Sequence, residues 1–315
     1  MSPDASPAQT SRLPFKQLLL VLGVVATLYA AALLIWGDSP KTSLAVLWST
    51  LGLEATALCL LNYLLRGMRW RLWMAHYGRH FGWVKGLRLY LAGYAFTPTP
   101  GNVGEAVRGL MLADKPLGTA QSLAIFGAER LADLLCLLLL CIPTLAWALK
   151  HGAVQAVPGL VLTLLTASLV ALAVIALLLA RYRQRLFQRF GWLQQAWQCL
   201  SVKPLLWFGL TLAAWAAQGL AVWLICRALD VHMPVLTATG FYAVAMVAGA
   251  LSALPAGLGG MEAVLTGLLV LQGAPAGPAL AITVLVRLLT LWLAVAIGVA
   301  ALLYSAAIRK DISFS

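Results

Sequence analysis

Charge is what this 315-residue chain has least of: 10% of its residues are Asp, Glu, Lys or Arg, against 62% hydrophobic. Mean hydropathy is +0.90. A soluble domain carries about 25% charged residues, so a water-soluble fold is excluded and a polytopic membrane protein is expected. Acids are scarcest, ten against 22 Lys and Arg, giving a net charge of +12. In a soluble protein that excess would point to nucleic acid. Here the cations gather in two segments and the termini, where membrane orientation and anionic headgroups explain them, so no nucleic-acid partner is expected. No CxxC pair occurs among Cys59, Cys136, Cys141, Cys199 and Cys226. Four of them lie in apolar segments, where Cys acts as a small hydrophobe, so neither a disulfide nor a metal site is expected. His76, His80, His151 and His232 lack ligand spacing and read as surface histidines. There is no GxxxxGK[ST] loop, which excludes P-loop ATP hydrolysis, and no cofactor is expected.

Apolar stretches long enough to cross a bilayer recur at about 17–36, 44–65, 121–149, 158–180, 204–228 and 278–307. The first lacks a small-residue cleavage signal and reads as an anchor, preceded by a polar segment, 1–14, expected to be disordered. Two further stretches, about 86–113 and 238–272, are broken. Pro98, Pro100, Gly101 and Gly104 interrupt one; Pro255, Gly257, Gly259 and Gly260 interrupt the other. Broken helices persist at membrane depth only where protein or a water-filled cavity satisfies the freed backbone groups. Both stretches therefore read as re-entrant hairpins of half-helices; complete pairs of short spans are the alternative.

Segment 66–88 carries Arg66, Arg69, Arg71, Arg79, Lys85 and Arg88, and a second basic segment carries Arg181, Arg183, Arg185 and Arg189. The connections 37–43 and 229–236 hold a single Lys or Arg, Lys41, between them. By the positive-inside rule the basic segments are cytoplasmic loops, and both termini are cytoplasmic. Phe187, Phe190, Trp192 and Trp197 also fit the second basic segment to a helix lying in the interface, or to a plain positive-inside anchor. Following the chain from side to side predicts an all-α integral membrane protein. Six full transmembrane helices and two re-entrant hairpins form an inverted repeat. Its parts are a cytoplasmic N-terminus (1–14), a first half (15–150), an inverted second half (151–308) and a cytoplasmic tail (309–315).

The repeat is also written in the residues. Shifting the numbering by 157 lays Pro98 on Pro255, Glu105-Ala106-Val107 on Glu262-Ala263-Val264, Leu123-Ala124-Ile125 on Leu280-Ala281-Ile282, and Arg130-Leu131 on Arg287-Leu288. With Leu112/Leu269 and Leu134/Leu291 these make eleven identities, where composition alone gives roughly four. An ionisable side chain in a bilayer costs about 2.5–3.5 kcal/mol on insertion scales, so the repeated Glu and Arg mark a site.

Arg287 has no charge within ten residues on either side and needs an anion from the fold or from a ligand. A guanidinium fork matches phosphate or carboxylate. Glu105 and Glu262 each follow a Gly-rich break, where a helix N-terminus favours a carboxylate and can also receive an anion. Two readings stay open: structural pairs Glu105–Arg130 and Glu262–Arg287, or two Arg holding a lipid phosphate while a Glu exchanges a proton or competes. Arg108, Asn102, Thr97 and Thr99 are further candidates at the first break. Glu129 and Asp133 have no charged counterparts in the second half, and with Glu54, a lone acid in the second span, they are candidate counter-ions or coupling groups. No catalytic residue is assigned, because no nucleophile–base pair or metal-ligand set is present.

PTPGNVGEAVRGLML, AERLADLL and LPAGLGGMEAVL together resemble the flippase-like membrane domain of lysylphosphatidylglycerol synthases and their stand-alone relatives, from about Trp70 to Tyr304. Glu105, Arg108, Glu129, Arg130, Asp133, Gly257, Gly259 and Glu262 fall on its motif positions. The resemblance implies a lipid-handling protein of a bacterial inner membrane. Ending at Ser315 without the soluble aminoacyl-transfer domain, the chain is not expected to be an enzyme. The expected function is translocation of an anionic, phosphate-bearing lipid (aminoacylated, glycosylated or polyprenyl-linked) by alternating access at a midplane Glu/Arg site. The alternatives are an accessory subunit of a lipid or envelope-glycan pathway, including a hopanoid-type one and partnered by a lipid-modifying enzyme, or a lipid-modifying membrane enzyme.

Overall fold

Long apolar runs punctuated by Pro and Gly produce helices and little else. In the computed structural model the described residues are 40–109, 116–150, 187–252 and 254–313, with Thr27 and scattered positions between 166 and 185. No strand occurs among them. The N-terminal segment 1–14, the anchor at 17–36 and all but scattered positions of the span at 158–180 lie outside the described residues.

The elements are α1 (Pro40–Ala45), α2 (Thr50–His76), α3 (Trp83–Ala92), α4 (Thr119–Leu140), α5 (Ile142–Lys150), α6 (Gly191–Ser201), α7 (Pro204–Ala228), α8 (Val235–Leu251), α9 (Gly260–Leu271), α10 (Ala276–Arg287) and α11 (Leu293–Ser313). Local chemistry sets their ends. The Ser49 hydroxyl accepts from Gly52 N at 3.2 Å to cap α2. Pro204 opens α7, where a missing N–H costs nothing. Glu262 accepts the Gly259 N–H at 2.8 Å at the start of α9.

Among the described residues, three stretches are long and apolar enough to cross a membrane: Thr119–Ala148, Pro204–Ala228 and Ala276–Ser305. The 25 residues of α7 reach about 37 Å at 1.5 Å per residue, against about 30 Å of hydrocarbon. Leu53, Leu60, Leu61 and Leu64 stay exposed on α2, as expected of a helix side that meets lipid.

α2 differs from its expected form. It passes the expected end at 65 and runs to His76. The positive-inside reading puts Arg66 and Arg69 in a loop. Instead both belong to α2 and are buried, at 8% and 0% exposure. Their charge is met by acids of α4, so they turn inward and not toward water.

α2 lies along α7, joined by Asn62, which donates to the Ala214 carbonyl at 2.7 Å. α4 packs on α6, α7 and α8; α8 packs on α9; α3 packs on α11. The two breaks touch: the 3₁₀ stretch Pro100–Gly109 lies against the turn Pro255–Gly257. The five cysteines are buried and unbridged.

Candidate functional site

The first break carries its acid differently from expectation. Glu105 sits inside the 3₁₀ stretch Pro100–Gly109, not at the start of an α-helix. Residues three apart eclipse in a 3₁₀-helix, which stacks Arg108 over Glu105 with Nη2 to Oε2 at 2.6 Å. The Thr97 hydroxyl donates to the other Glu105 oxygen at 2.9 Å. Arg108 also reaches Glu129 on α4, with Nη1 to Oε2 at 3.1 Å.

One turn further along α4, Asp133 collects three guanidinium groups. Arg66 Nη2 lies 2.8 Å from Oδ2, Arg69 Nη1 lies 2.7 Å from Oδ1, and Arg130 Nη2 lies 3.3 Å from Oδ2. The Trp215 indole donates to Oδ1 at 3.2 Å, and Arg69 donates to Thr211 at 2.9 Å. Arg130 Nη2 also lies 3.4 Å from Glu105, closing the network. Aromatic faces cover the cations: Arg108 is 4.4 Å from the centre of Tyr90, and Arg66 is 5.2 Å from that of Trp215. Such contacts partly replace lost hydration.

Two features give this cluster a chemical direction. Among the described residues, four guanidinium groups (Arg66, Arg69, Arg108, Arg130) face three carboxylates (Glu105, Glu129, Asp133), leaving one positive charge in excess. Six of the seven are buried, while the Arg130 side chain is 30% exposed. The cavity beside Glu105, Arg108 and Glu129 measures about 10 Å³, room for about one water. Of the seven side chains, Arg130 is therefore the one most open to an anion.

The second break carries a simpler arrangement. Arg287 Nε meets Glu262 Oε1 at 2.6 Å, and Nη2 donates to the Ala256 carbonyl at 2.8 Å. Ala256 holds φ 54°, and Gly257 and Gly259 hold 68° and 84°. Left-handed backbone at a non-Gly residue is strained, and the Arg287 bond helps retain it. Arg287 ends α10, and a π-helical turn, Leu288–Trp292, follows it. Tyr63 on α2 donates to the Leu289 carbonyl in that turn at 2.7 Å. π-turns of this kind often mark functional positions.

The structure thus joins Glu105, Arg108, Glu129, Arg130 and Asp133 in one network and Glu262 with Arg287 in another. Glu54 is exposed on α2, apart from both. Pro100, Gly101, Asn102 and Gly104 lie in the 3₁₀ backbone of the first break; Gly260 opens α9. Sequence reasoning missed Arg66, Arg69, Thr211 and Trp215. A signal for the first two was present: Asn62, Arg66 and Arg69, spaced i, i+4 and i+7, form a polar stripe on one side of an apolar helix.

A stretch of 91 residues is 33% identical to a UPF0104 membrane protein of Methanothermobacter thermautotrophicus (strain Delta H). That match covers 29% of this chain and 27% of the archaeal protein, so the chain spans about a quarter of its relative's length. Residues 18–298 match the family model described as the lysylphosphatidylglycerol synthase TM region. Together with its apolar helices, this match makes the protein a multi-pass membrane protein and a member of the lysylphosphatidylglycerol synthase TM region family.

Proposed function

We propose that the protein is a translocase that moves an anionic, phosphate-bearing lipid between leaflets. The observation that carries this reading is the excess positive charge of the buried cluster, presented at its one partly exposed member, Arg130. A lipid phosphate meeting Arg130 competes with Glu105 and Asp133 for the same Nη2, whose contacts of 3.4 and 3.3 Å are longer than the 2.6–2.8 Å contacts those acids make with Arg108, Arg66 and Arg69. Binding is then exchange of one anion for another, weak enough to allow release. In this reading the two halves are inverted repeats, each with two spans, a re-entrant hairpin and a third span, in a bacterial inner membrane with both termini cytoplasmic. The contact between the two breaks and the pairing of Arg130 and Arg287 with acids 25 positions earlier support it. The Arg287–Glu262 pair then serves the opposite leaflet, and the chain performs no covalent chemistry on its lipid.

The test is a leaflet-specific accessibility assay with a fluorescent anionic phospholipid in proteoliposomes. Arg130→Gln should abolish protein-dependent translocation while the protein stays folded. Undiminished translocation by Arg130→Gln and Arg287→Gln would sink the mechanism. Inertness of the wild-type chain alone, relieved by a lipid-modifying enzyme, would turn the reading to an accessory subunit.

A further inference from the structure

A second basic feature lies outside the cluster. Where α2 ends and α7 begins, a groove of about 280 Å³ opens, the low end of small-ligand pockets. Arg71, Arg79 and His80 supply polar lining, Met68, Leu206 and Leu210 apolar lining, and no acidic residue lines it among the described residues. This division is that of a phospholipid, an anionic head over an apolar tail.

Arg71 is held in place for such a contact. Its stem crosses Gly86, where a Cβ would meet Arg71 Cδ at 2.8 Å. Its guanidinium stacks 4.2 Å from the centre of the Trp83 ring, and Nη2 donates to the Phe81 carbonyl at 2.7 Å. A carbonyl carries no charge, so the cation is oriented without being neutralised. Arg79 is drawn to the same side through the Pro116 carbonyl, 3.3 Å from its Nη2. A fixed fork has already lost much of the rotamer freedom that binding a phosphate removes. Trp83, which lines the groove, is 60% exposed, in the manner of aromatic residues at a membrane–water boundary. Leu206 is 47% exposed, leaving the apolar wall open to an acyl chain.

We infer that this groove is a standing site for one anionic phospholipid, its phosphate on Arg71 and Arg79 and its acyl chain along Leu206 and Leu210. The site is separate from the cluster, and its lipid is bound, not carried. The apolar wall selects a lipid over free phosphate. The inference holds whether or not the protein translocates lipid.

The experiment is native mass spectrometry of the full chain released from detergent, titrated with phosphatidylglycerol or phosphatidylcholine of equal chain length. Phosphatidylglycerol should bind with one high-affinity stoichiometry that phosphatidylcholine lacks. Arg71→Gln with Arg79→Gln should weaken that first binding at least about tenfold, the scale expected for removing two interfacial cations. Arg189→Gln, on the other basic segment, should leave it unchanged. Leu210→Trp, which fills the apolar wall and keeps both arginines, should weaken it too, and serves if the double variant fails to fold. Equal binding of the two lipids, unchanged affinity in both the double variant and Leu210→Trp, or full displacement by glycerol phosphate would overturn the inference.

Discussion

The two halves of this molecule put the same Glu–Arg pair beside the same kind of break and surround it with opposite chemistry. In the first half the pair is embedded in seven charged side chains. In the second, the positions that correspond under the 157-residue shift are apolar or neutral. Arg108 becomes Leu265, Glu129 becomes Val286, Asp133 becomes Thr290, Arg66 becomes Trp223 and Arg69 becomes Cys226. Leu265, Val286 and Cys226 are as deeply buried as the charges they replace. Even the backbone follows. Gly93 lies where any Cβ would overlap the Arg108 Nε, whereas its counterpart Ala250 carries a Cβ and is exposed. A buried charge cannot be exchanged alone, since breaking a buried pair costs about 3–5 kcal/mol whereas replacing the whole set by apolar residues is often neutral. The asymmetry is therefore one coordinated difference, and it leaves a seven-member network whose most exposed cation is Arg130 in one half and a single Glu–Arg pair in the other.

That comparison can be broken at its strongest point first. Asp133→Ala strands Arg66, leaves Arg69 with Thr211 and a 3.7 Å contact to Glu129, and should destabilise by about 3–5 kcal/mol. The matched change Thr290→Ala, which removes one hydroxyl bonded to the Val286 carbonyl, should cost about 1 kcal/mol or less. Thermal unfolding in detergent separates them; equal losses would mean that the cluster does not hold the first half together.

Next comes a graft. Leu265→Arg buries an unpaired cation and should cost about 3 kcal/mol. Adding Val286→Glu recreates the Arg108–Glu129 geometry in the other half and should recover part of that loss. A double variant no better than the sum of its singles would show that the halves are not superimposable at these positions.

Gly93→Ala should cost about 1–3 kcal/mol by overpacking, because Arg108 must move off its two carboxylates. Chymotrypsin susceptibility of the folded protein provides the reading. The smallest stability effect belongs to Arg130→Gln, under about 1 kcal/mol, since that side chain is 30% exposed and solvent screens its pairs. A loss at Arg130 as large as that at Asp133 would place it in the structural frame and remove it as the ligand-facing group.

Much of this was legible in the chain. Helices along 119–148, 204–228 and 276–305 follow from apolar length, and both breaks follow from Pro and Gly. Pairing of Glu105 with Arg130 and of Glu262 with Arg287 was open to a reader because isolated charges in apolar surroundings must find each other. Arg66 and Arg69 were not, because an arginine that closes an apolar run looks the same whether it turns to water or to a carboxylate. The 3₁₀ geometry that stacks Arg108 on Glu105 was equally hidden, since three-residue spacing serves an α-helix as well.

Residue order and composition settled that the chain lives in a membrane, where its helices break, and that the duplicated acid and base are costly enough to need partners. Which partners they have was decided only when α2 came to lie against α7 and within reach of α4. Hydrophobicity is local and additive along a chain, whereas neutralising a buried charge depends on what folding brings within about 4 Å of it. Membership of one seven-residue network, and the place of Arg130 as its most exposed cation, are products of that folding.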